Sequence, residues 1–215
     1  MEGMLDSFPI DFKRKDQAAT PALKTLFGES SGKPLDKERS EVFHSTVAKV
    51  LFLCKRARPN TATAIAGLST KVKNPTKLDW QNLVQYMKYL NGTRTRTLTL
   101  KADNLSIVKW WIDAAFATHM DFKSHTGAVM KYGNNGIGAI QSKLCQQKLN
   151  SRSSTEAELI AVDNVAAQVL WTKLFLEMQG YKVKEIIVYQ DNMSSILLEK
   201  NRRKSAEKRL RAINI

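Results

Sequence analysis

The sequence predicts an α/β protein: a mixed sheet with flanking helices, preceded by a small helical unit. Three observations carry this. Apolar residues recur at helical spacing between Phe43 and Gly92. The period then changes to two in TRTLTLKA, LSIVKWWIDAAF and HTGAVMKYGNNGIGAIQSK, segments rich in β-branched and aromatic residues. After them come a long helical stretch from Thr155 to Gln179, the short apolar run VKEIIVYQD and the helical NMSSILLEK. Strands, helix, strand, helix is the order of a sheet with helices packed on it, and such sheets usually present their site at the carboxyl ends of the strands.

Each element has a local cause. Residues 1–42 mix Pro, Gly, Ser and charge without a sustained period, and are expected to form an extended leader packed on something else. FHSTVAKVLFLCKRARPN puts Phe43, Val47, Val50, Leu51 and Cys54 on one helical face and is stopped by Pro59. TATAIAGLSTKVK is a second helix. In NPTKLDWQNLVQYMKYLNG, Thr76 is the expected N-cap, Asp79 completes a capping box, and Asn91-Gly92 ends the helix. Residues 43–92 thus form a three-helix unit and 93–215 the sheet domain. A turn at Asn134-Asn135-Gly136 is expected to join two strands, VKEIIVYQD to be a short buried strand, and Ser154 or Thr155 to cap the long helix. Of Trp110 and Trp111, at least one is expected in the core rather than in a base-stacking platform.

Composition narrows the function classes. With 215 residues, 43% of them hydrophobic, the chain can bury one large core or two small ones. The longest apolar stretch is VLFL near Val50, far short of the ~18 residues a membrane span needs, so no membrane partner is expected. MEGMLDSFPIDFKRKD lacks a signal-peptide pattern, which points to an intracellular place, cytoplasmic or nuclear, with an organelle left open. Cys54 and Cys145 stand far apart with no CxxC spacing, so they are read as reduced and packed.

A formal charge of +14 and a pI near 9.8 attract polyanions, nucleic acid first. The densest run is Lys200, Arg202, Arg203, Lys204, Lys208, Arg209 and Arg211 against a single carboxylate, Glu207, and it is read as a nucleic-acid-binding strip. Lys13, Arg14 and Lys15, with Lys55, Arg56 and Arg58, add further basic clusters. Asp121 and His125 fall in a loop before a strand, and His44 and His119 have no partner at ligand spacing.

Three carboxylates occupy the places where chemistry is expected. Asp113 lies at the end of IVKWWID, Glu158 in the first turn of the long helix, and Asp191 at the end of IIVYQD. Brought to one rim of the sheet without basic partners they would repel each other, and a bound cation makes their ionisation tolerable. Oxygen-only ligands suit Mg²⁺ or Mn²⁺, and two such ions about 3.5–4 Å apart can activate water and stabilise the leaving oxygen of a phosphodiester.

This order of carboxylates is similar to that of a ribonuclease H. More closely, WWIDAAFATHMDFKSHTGAVM, QKLNSRSSTEAELIAV and VYQDNMSSILLEKN resemble the RNase H domain of Ty1/copia-type retrotransposon polyproteins, with SSTEAEL the most specific element. The helices upstream resemble the linker between reverse transcriptase and RNase H in that family. No paired-aspartate polymerase signature occurs, so DNA synthesis is not expected. The resemblance implies that Asp113 bridges two metal ions, Glu158 holds the one near the leaving group, and Asp191 the one that activates water, while Glu156 merely fills the first turn. It also implies a fourth ligand position, a carboxylate preceded by a histidine; here Asn214 stands at that place and Ala212 at the histidine's, and the last helix looks truncated. The implied partner is an RNA:DNA hybrid, read by shape and 2′-hydroxyls. The alternative is a catalytically decayed, host-adopted remnant acting as a basic RNA-binding or scaffold subunit, bound to structured RNA within a larger ribonucleoprotein or polyprotein assembly.

Overall fold

The computed structural model describes residues 1–200 apart from Arg14, residues 29–31 and Met120, with the backbone alone described at 199–200. The chain forms two compact units, Met1–Leu98 and Thr99 onward.

The first unit is helical. A short helix α1 (Glu2–Asp6) is followed by irregular chain and by α2 (Lys37–Arg56), a single 3-10 turn at Pro59–Thr61, α3 (Ala62–Ser69) and α4 (Lys77–Gly92). Helix α2 starts six residues ahead of Phe43 because Asp36 caps it, accepting from the Arg39 amide; that first turn is polar all round and has no apolar period to read. The capping box of α4 is complete, with Thr76 and Asp79 each bonded to the other's backbone. The leader is not merely extended. Leu5 and Phe8 of its N-terminal part and Leu26 are buried in one core with Phe43, Val50, Leu83 and Leu90, and Phe8 stacks between Phe12 and Trp80 at 5.7 and 5.4 Å.

The second unit carries the sheet. Its elements are β1 (Ile107–Ala115), β2 (His125–Tyr132), β3 (Gln141–Gln146), α5 (Ser154–Met178), β4 (Glu185–Tyr189) and α6 (Met193–Lys200). Strand order is β3-β2-β1-β4, antiparallel except for the parallel pair β1 and β4. This is the mixed α/β architecture expected, consistent with an RNase H-like fold. A parallel neighbour requires a long crossover, and α5 lies within it. Alternation along β1 sends Val108, Trp110 and Ile112 to the α5 face, where they meet Ala161, Val162, Val165 and Leu176. Trp111 points the other way and stacks on Tyr189 at 5.0 Å. A Schellman arrangement ends α5: Gly180 takes φ +85°, its amide bonds Glu177, and Tyr181 bonds back to Leu176.

Several expectations need correction. TRTLTLKA forms no strand, only an isolated bridge between Lys101 and Ile137, because its alternating residues 95–100 are mostly exposed and have no face to bury. The connection between β2 and β3 runs over residues 133–140, longer than the expected Asn134-Asn135-Gly136 turn, and the same bridge and the Asn135 amide bonded to Asp103 tie it to residues 101–103. Ser153, not Ser154 or Thr155, caps α5. Strand β4 is half exposed rather than buried, as it pairs only with β1 and forms an edge among the described residues. Helix α5 is long and apolar enough by composition to cross a membrane, which a search for unbroken apolar runs does not register; here its apolar residues line the core on one side and leave Leu170, Trp171, Leu174 and Met178 exposed on the other.

Candidate metal centre

The first turn of α5 is held by its own sequence. The Ser153 hydroxyl accepts from the Glu156 amide, and the Glu156 carboxylate accepts from the Arg152 amide at 2.7 Å. Glu156 is therefore occupied in capping. Glu158, two residues on, is turned by roughly 200° around the axis, away from that role. The buried Gln147 side chain donates to the Ala157 carbonyl and to Thr126, which ties the same turn to β2. Ser195 of α6 reaches the Thr155 carbonyl.

Asp113 sits near the end of β1 opposite Gly127. Asp191 follows β4 by two residues, in the loop before α6, rather than ending the strand. The structure brings Asp113, Glu158 and Asp191 together: one carboxylate oxygen from each lies within 4.8 Å of the others. The two aspartates are exposed and Glu158 is buried. None of the ion pairs among the described residues involves any of the three. Burial pushes the Glu158 carboxyl above its usual range, and the charges of Asp113 and Asp191 push the same way, against hydrogen bonds from Gln190 and the Ala114 amide. A cluster of oxygen ligands with no cationic partner among the described residues fits a hard divalent ion.

Asn214, Arg202, Arg203, Lys204, Lys208, Arg209 and Arg211 lie outside the described residues, as do the Lys200 side chain and Arg14. Arg58 leaves the basic surface: it is 2% exposed, donates to the Thr93 carbonyl and hydroxyl at the end of α4, and lies over the Tyr89 ring. Its five-donor fork suits the carbonyl end of a helix. Asn192 caps α6 through the Ser195 amide. His125 is buried at the start of β2 and meets His119, Nδ1 to Nε2, at 2.8 Å. Asp121 bonds Lys123 and Gln146. Sequence reasoning missed the histidine pair, Gln147 and Gln190; only adjacency to Asp191 could have flagged the last.

No family model and no solved structure matches the chain. Among curated proteins, it is similar to the retrovirus-related Pol polyprotein from transposon TNT 1-94 of Nicotiana tabacum, 34% identical over 160 residues, which are 74% of this chain and 12% of that protein. The polyprotein from transposon RE2 of Arabidopsis thaliana is 30% identical over 143 residues, 66% of this chain and 10% of that protein. The secreted RxLR effector protein 161 of Plasmopara viticola is 27% identical over 127 residues, 59% of this chain and 88% of that protein. The chain spans about a tenth of the length of the transposon relatives it matches.

Proposed function

The homologues of this chain being retrovirus-related Pol polyproteins of Ty1/copia-type transposons, and its origin therefore a retroelement, we propose that its second unit is a ribonuclease H that hydrolyses the RNA strand of an RNA:DNA hybrid with Mg²⁺ or Mn²⁺. The observation that carries this reading is the convergence of Asp113, Glu158 and Asp191 within 4.8 Å with no ion pair to any of them among the described residues. Divalent ions held there supply an activated water and charge stabilisation at the phosphodiester. The protein's part is preorganisation. Asp113 comes from the central strand, Glu158 from the capped start of α5, and Asp191 from the loop after the parallel neighbour, so three separately anchored backbones fix one oxygen cluster. Asn214, a neutral oxygen where the resemblance implies a carboxylate, would join them as a weaker ligand.

The test is cleavage of a labelled hybrid with Mg²⁺ and with Mn²⁺, beside Asp113→Asn. Metal-dependent cleavage that the variant lacks, by at least about a hundred-fold, is expected; a variant as active as the parent rules the reading out. A second reading is favoured by Asn214 and the charge of +14: a basic RNA-binding piece whose cleavage has decayed. Hybrid or structured-RNA binding without any cleavage selects it.

A further inference from the structure

Gln190 is the residue between β4 and Asp191, and both ends of its carboxamide are used. Nε2–H donates to Glu158 Oε2 at 2.9 Å. Oε1 accepts from the backbone amides of Asp191 and Asn192 at 2.8 and 3.1 Å. One planar group thus links α5, which carries Glu158, to the loop that carries Asp191. We propose that Gln190 is a positioning residue for the carboxylate centre, fixing the Glu158 carboxylate and the Asp191 backbone to each other before a divalent ion binds. The proposal rests on the metal-site reading above.

The chemistry of the side chain suits this. A cluster of three carboxylates needs donors to orient it, and an arginine or lysine would neutralise the charge that attracts an ion. A carboxamide donates while staying neutral. It also accepts, so the two amides at the turn into α6 are satisfied by the group that orients Glu158. Alternation at the end of β4 supports the direction. Tyr189 stacks on Trp111 on the face away from α5, and Gln190, next along, turns to the α5 side where Glu158 lies. Length decides the residue type: asparagine can still accept from the amide two residues on, a local turn common for that side chain, but it is one methylene too short to keep the Glu158 bond.

Mn²⁺ affinity of the full chain, by calorimetry or electron paramagnetic resonance, tests the proposal in the parent, Gln190→Asn, Gln190→Met, Glu158→Gln, Asp113→Asn and the Gln190→Asn/Glu158→Gln double variant. Both Gln190 variants are expected to bind on the order of ten- to a hundred-fold more weakly, as loss of a group that orients a ligand does. Gln190→Asn keeps an acceptor for the Asn192 amide and serves if Gln190→Met fails to fold. In the Glu158→Gln background the Gln190→Asn effect should shrink to less than about two-fold, because a residue acting through Glu158 has nothing left to orient. Parent-like affinity in Gln190→Asn, or an undiminished loss in the double variant, overturns the positioning role while binding sensitive to Asp113→Asn keeps the metal site. Parent binding that Asp113→Asn does not weaken overturns both.

Discussion

Two residues apart on one helix turn, Glu156 and Glu158 have the same side chain and opposite uses. The Arg152 amide and the Ser153 hydroxyl claim the first position, and the rim of the sheet claims the second. With Ser154 or Thr155 as the expected cap, that distinction rested on the family resemblance alone; Ser153 as the actual cap is what puts Glu156 at the third helical position, where its carboxylate serves the helix start. The His119–His125 contact was not legible in the sequence, because a loop with positive φ at Ala117 and Phe122 folds residues six apart back on each other. Burial, and then the charge of His119, lowers His125 from 6.5 to about 4. A histidine whose folded value lies below its unfolded one stabilises the fold as the neutral ring, so the contribution is present above pH 6.5 and is lost as pH falls towards 4. A loss on the order of 3 kcal/mol across that window follows. Thermal melts should show it, with a flatter profile in His125→Gln; equally steep profiles would mean the imidazole is not held neutral.

Elements reproduce their local signals well and their environments poorly. The capping box of α4 and the stop at Pro59 follow from residues three to four apart. The burial of β4 does not, because an apolar run looks the same at an edge as at the centre of a sheet. Strand β1 shows the decisive rule. Trp110 is fully buried between sheet and helix, while its neighbour Trp111 is 39% exposed and lies under the Lys131 ammonium group. Trp110→Ala should cost about 3–5 kcal/mol in urea unfolding, whereas Trp111→Ala, losing one aromatic pair, should cost under about 1.5 kcal/mol. Similar costs at the two positions would mean that the open face is as well packed as the covered one.

For the whole molecule, charge is the property that crosses both units. For the proposed nucleic-acid partner, a net +14 predicts a binding energy with a large share from release of counterions from the phosphate backbone. Affinity of the full chain for an RNA:DNA hybrid, measured by filter binding, should fall about ten-fold or more between 50 and 200 mM salt. A flat salt dependence would mean that few of these charges meet phosphates. One of the sequence-level basic clusters has already changed meaning: Lys55 and Arg56 end α2, but Arg58 is buried as the cap of α4. Net charge counts every cation and says nothing of which are spent inside.

By itself the sequence determined most of the helical and strand periods, the capping box of α4 and the stop before Pro59, and it singled out the three carboxylates as candidates, because these depend on residues within a few positions of each other and on their types. Only the tertiary structure decided the meeting of Asp113, Glu158 and Asp191 within 4.8 Å, and the span of Gln190 between two of them. Residues 45 and 33 positions apart along the chain become neighbours through strand pairing and helix packing, and that closeness is set by which backbones share hydrogen bonds and a core, information no local stretch contains.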